Sequence, residues 1–94
     1  MSERQISFLV SEEEVGLLRA VNFLEPFLED NIRRAKKAEN GMLKISFLPS
    51  DLQEAMGAVS YAIAFGVKPE KRGSFEVLHE KMNHYLQAGR GIDN

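Results

Sequence analysis

The sequence predicts a small α/β domain of order β-α-β-α-α, with an α+β arrangement as the alternative, and three observations predict it. A strand-like run, Ile6-Ser7-Phe8-Leu9, returns later in the chain as Ile45-Ser46-Phe47-Leu48. Each copy leads into a serine, Ser11 or Ser50, with Glu14 or Gln53 three residues on, the spacing of a capping box. Three further stretches carry apolar residues at helical spacing. The chain of 94 residues fits one domain over 1–94 with 90–94 as a frayed tail. Its 44% hydrophobic and 28% charged residues are those of a globular protein rather than a disordered one.

The first strand is expected at about Gln5 to Val10, with Ile6, Phe8 and Val10 sharing one face. The first helix is expected from Glu12 to Ala38. Leu17, Val21, Leu24, Leu28 and Ile32 form one stripe, and Gly16, Ala20, Phe23 and Phe27 form another beside it. Together they cover more of the circumference than one buried face requires. Pro26 removes a backbone donor and crowds the preceding turn, so a kink or break is expected around Phe23 to Glu25. Asn40-Gly41 reads as the stop of this helix, through residues tolerant of the left-handed conformation.

The second strand is expected at Met42 to Leu48, with Leu43, Ile45 and Phe47 inward and Lys44 and Ser46 toward water. A second helix over Asp51 to Phe65 has a core stripe of Leu52, Ala55, Met56, Val59, Ala62 and Ile63. Its opposite side carries Gly57, Ser60, Tyr61, Ala64 and Phe65 without a charge, which suggests burial on more than one side. Val67 to Gly73 reads as a loop, and Ser74 as the cap of a third helix over Phe75 to Ala88.

Two strands make a marginal sheet with open edges. Together with the surplus apolar arc of the first helix, they point to completion by a homodimer. The association surface is expected at Phe23, Phe27, Tyr61 and Phe65. The strands are parallel if the first helix is one crossover, and antiparallel if Pro26 breaks it.

Catalytic signatures are missing from the sequence. With no cysteine there is no disulfide, thiolate metal site or cysteine nucleophile. His79-Glu80 resembles the start of a zinc helix, but the next histidine is His84 at i+5, roughly 140° around the helix from His79. Glu12, Glu13 and Glu14 complement a helix dipole. No serine sits in a nucleophile elbow, and no glycine pattern cradles phosphate. Neither a metal nor a cofactor is expected, and the protein is expected not to be an enzyme.

Twelve Lys+Arg against fourteen Asp+Glu give a net charge of -2, which disfavours a polyanion as the main partner. A local basic cluster remains the alternative: Arg33, Arg34, Lys36 and Lys37 at the end of the first helix, and Lys68, Lys71 and Arg72 in the later loop. The cations of the first group also suit a helix C-terminus. No run approaches the ~20 apolar residues of a membrane span, and no export signal is recognisable, so a cytoplasmic location is expected. The leading expectation is thus a non-enzymatic homodimeric interaction or regulatory module that binds another protein. A nucleic-acid-associated factor and a small-ligand binder or enzyme with an apolar dimer cleft are the alternatives.

Overall fold

The computed structural model describes residues 4–66 and 68–88, and the expected tail over 90–94 lies outside them. The architecture is mixed α and β: four helices and a three-stranded antiparallel sheet around one core. The elements are β1 (Ile6–Val10), α1 (Glu12–Val21), α2 (Phe27–Arg34), β2 (Lys36–Lys37), β3 (Leu43–Phe47), α3 (Pro49–Tyr61) and α4 (Pro69–Ala88). The sheet order is β1-β3-β2.

The first expected helix is two helices. Its run ends at Val21, and Pro26, which cannot donate to the preceding turn, precedes the new start at Phe27. The chain therefore reverses, and β1 and β3 pair antiparallel. The expected helical end at Lys36 and Lys37 is instead the edge strand β2, so the helix dipole accounts for Arg33 and Arg34 but not for these two lysines. Asn40 and Gly41 adopt the expected left-handed conformation, at φ of 60° and 72°. They do so in a hairpin connection rather than at a helix stop. The Ala38 N–H donates to the Met42 carbonyl at 2.8 Å and closes the β2–β3 loop.

The echoed strands pair with each other. Ile6 faces Phe47, Ser7 faces Ser46 and Phe8 faces Ile45, so the two equivalent serines stand opposite one another with their hydroxyls 2.7 Å apart. The inner face is apolar, and Ile6, Phe8, Val10, Ile45 and Phe47 are fully buried. Phe8 stacks on both Phe47 and Tyr85 of α4.

Ser11 caps α1 as expected. Its hydroxyl accepts from the Glu14 N–H, and the Glu14 carboxylate accepts from the Ser11 N–H. Ser50 does not cap α3. Pro49 takes the first helical position, so the helix starts before Ser50 and the cap residue is Leu48. The same effect corrects the last helix: Pro69 opens α4, leaving Gly73 and Ser74 inside it rather than in a loop and at a cap. These two changes move helix starts toward the nearest proline, whose fixed φ favours the first turn.

Candidate functional site

The end of α3 is where the fold departs from regular geometry. After Tyr61 the chain continues through a π-helical turn over Ala62–Gly66 before α4 begins. Such turns widen a helix and are frequent at functional sites. Here the turn carries Phe65 outward beside Tyr61, with ring centroids 5.1 Å apart.

Next to this turn lies a half-open groove of about 230 Å³ between α1, the end of α3 and the start of α4. Leu17, Ala20, Phe23 and Leu24 line one wall, Tyr61, Ala62 and Gly66 the second, and Lys68, Lys71 and Phe75 the third. Phe75 forms a buried floor at 2% exposure, whereas Phe23 and Tyr61 stand into solvent at 72% and 50%. Of the four expected association residues, Phe23 and Tyr61 line the groove and Phe65 packs beside it with its ring tilted against that of Tyr61. Phe27 is elsewhere: it is half-buried and packs against the core from the first turn of α2.

The outer side of α3 is not buried as its lack of charge had suggested. Gly57, Ser60, Tyr61, Ala64 and Phe65 are all exposed. The uncharged stripe thus runs from mid-α3 to the groove without a covering element among the described residues.

The seven candidate cations divide between different environments. Lys68 and Lys71 are on the groove. Arg72, also exposed, is on the same first stretch of α4. Arg33 and Arg34 both reach Asp30 one turn earlier in α2, which neutralises part of their charge. Arg33 also borders a separate polar cleft with Arg19 and Glu29. Lys36 and Lys37 are exposed on β2, where Lys36 stands opposite Lys44 of β3. A like-charged cross-strand pair is mildly unfavourable, and lysines on an edge strand discourage further pairing.

Two polar contacts tie elements of the fold together, and neither is visible from local sequence. The Asn31 side chain, buried in α2, donates to the Ser46 carbonyl at 2.7 Å. β2 has ended before it reaches this part of β3, so Asn31 satisfies a carbonyl that a longer strand would have paired. Lys81 of α4 bridges the Glu14 carboxylate at 2.7 Å and the Leu9 carbonyl at 3.2 Å. It ties α4 to the β1–α1 junction. The only signals for either are a polar residue inside an apolar pattern and a lysine on the flank of a helix.

The histidines do not converge. His79 is half-buried, while His84 is exposed and packs edge-on against Tyr85. No group of three or more His, Cys, Asp or Glu able to hold a metal ion occurs among the described residues. No helix among the described residues is long and apolar enough to cross a membrane.

Comparison with family models, with curated proteins and with solved structures gives no match to this chain.

Proposed function

We propose that this chain is a small, non-enzymatic interaction module that docks a partner protein on the groove and the adjoining outer face of α3. One observation carries the reading. Of the four large apolar side chains exposed among the described residues, Phe23, Tyr61 and Phe65 gather at this groove, with Phe65 exposed at 78%. Exposed aromatic clusters mark interaction surfaces because each ring offers a large area to bury and loses few rotamers in doing so. The groove is smaller than the ~300–1,000 Å³ of a typical small-molecule site, which favours an anchoring side chain over an enclosed metabolite.

The test places a photo-crosslinking phenylalanine analogue at Phe65 in source cells. A discrete adduct is expected, and Phe23→Ser or Gly57→Gln should abolish it. Gly57 has open space where a side chain would sit, so Gln at this position obstructs the face while favouring the helix by ~0.5–1 kcal/mol. Absence of any adduct, with the thermal melt unchanged, would refute the docking surface.

Self-association into a homodimer belongs to the same proposal and has a separate support. β1 is an edge strand with β3 on one side only. Among the described residues no strand pairs with β1 on the side away from β3, and Lys81 donates to the Leu9 carbonyl of this strand. Light scattering at micromolar concentration should return twice 10.6 kDa, and a monomer across two decades of concentration would exclude the dimer.

A further inference from the structure

Given that docking surface, we infer that its occupant is an acidic amphipathic helix of a partner protein. The charge of the groove sets the sign. Its lining includes Lys68 and Lys71 and no carboxylate. Neither lysine forms an ion pair among the described residues, in contrast to Arg33, Arg34 and Lys81. Lys68 immediately precedes α4, a helix of 20 residues, and Lys71 lies in its first turn, where the positive end of the dipole adds to their field and exposed Glu70 between them offsets one charge. An occupant entering here gains from a carboxylate and is opposed if it brings a cation.

The shape of the surface sets the conformation. Beside the groove, Gly57, Ser60 and Ala64 leave the C-terminal half of the outer face of α3 low and uncharged, with exposed Glu54 one turn earlier, and nothing stands over Gly57. An extended peptide on such a face would leave its own N–H and C=O groups without partners, whereas a helix satisfies them internally. The low stripe lets a helix approach closely, and Tyr61 and Phe65 flank its path. The groove, at about 230 Å³, then receives one or two large apolar side chains from positions i and i+3 or i+4 of that helix. Aromatic rings near lysines also occur where single-stranded nucleic acids bind. Two cations on a chain of net charge -2 give little purchase on a phosphate backbone, so the acidic helix fits better.

The experiment is a random sixteen-residue peptide library displayed on phage, panned on the full chain and counter-selected on Gly57→Gln. Peptides that survive only on the unsubstituted protein should carry two large apolar residues one helical turn apart, flanked by Asp or Glu. A fluorescent copy of the most enriched peptide should become helical on binding. Its affinity for the parent should fall with added salt, and should fall about tenfold on joint Lys68→Glu and Lys71→Glu substitution, with the salt-dependent loss abolished in that variant. Both lysines are exposed and glutamates at a helix start complement its dipole, so the thermal melt of that variant should be no lower than the parent's. Enrichment of neutral or basic peptides, or an affinity indifferent to the double reversal, would overturn the acidic helix and leave the docking surface standing. No groove-dependent peptide at all would remove both. Displacement of the peptide by an equimolar single-stranded oligonucleotide would overturn the inference in favour of nucleic acid.

Discussion

Replacing Lys81 by methionine removes one ammonium group and little else, since the aliphatic stem can keep its packing. The ammonium serves two acceptors: the Glu14 carboxylate at 2.7 Å and the Leu9 carbonyl at 3.2 Å. The two charged side chains retain only 26% and 11% exposure, so the pair is shielded from most solvent screening. Hydrogen bonds to charged groups at such sites contribute about 1.5–3 kcal/mol each, and loss of one partner leaves the other charge poorly solvated. Glu14 keeps one compensation, the Ser11 N–H at 2.9 Å, which limits the damage. Lys81→Met should therefore cost about 2–3 kcal/mol, a fall of roughly 10–20 °C in Tm for a domain of this size. Glu14→Gln preserves the capping geometry, because Gln is tolerated at that position, and should cost about 1–2 kcal/mol. Urea denaturation of the parent, both single variants and the double variant forms a complete cycle. A coupling of about 1–1.5 kcal/mol is expected. A value under ~0.5 kcal/mol would place the pair with solvent-screened surface ion pairs and refute the claim that it clamps α4 to the β1–α1 junction.

Three further outcomes are expected. Ser11→Ala should cost about 1 kcal/mol and Ser50→Ala close to nothing in the same denaturation assay, because only Ser11 caps its helix. Asn31→Ala should cost about 1–3 kcal/mol by leaving the Ser46 carbonyl without its donor, and backbone hydrogen exchange should accelerate most in β3. Binding to generic duplex DNA at 150 mM salt should be weaker than ~10 µM by fluorescence anisotropy. Submicromolar, steeply salt-dependent binding lost on joint Arg33→Glu and Arg34→Glu substitution would instead favour a nucleic-acid-associated role.

The parts of the fold that were legible in the sequence are those with local causes. Alternation placed Ile6, Phe8 and Val10 on one face, the Ser11–Glu14 spacing named a real cap, and Pro26 marked a real break. The errors came from competition between local signals. Pro49 outweighed Ser50 as a helix opener, and Pro69 outweighed Ser74, because a fixed φ in the first turn asks for no side-chain partner. Lys36 and Lys37 were read as a helix end because a two-residue strand has no periodicity to detect. For the candidate site, the exposed aromatics Phe23, Tyr61 and Phe65 were legible as surplus to the core. Their neighbourhood with Lys68 and Lys71 was not, since these lysines were grouped with Arg33 and Arg34 by charge alone. Asn31 with Ser46 and Glu14 with Lys81 depend on tertiary approach, and no local pattern announces it.

The pairing of Ser7 with Ser46 places a local two-fold axis through the three pairs at one end of the β1–β3 ladder. Ile6, Ser7 and Phe8 each meet the symmetry-related position of the other copy, so Ile6 opposite Phe47 is matched by Phe8 opposite Ile45, while Leu9 faces Lys44 outside the run. These three pairs have the symmetry of an isologous contact between identical strands, tethered through α1, α2 and β2. Within these three pairs every substitution has a symmetry mate. A change at Phe8 can be answered at Phe47, and a pair of reciprocal changes preserves the fit that either alone would spoil. The unit most tolerant of redesign here is accordingly the matched pair of positions across the axis rather than the single residue.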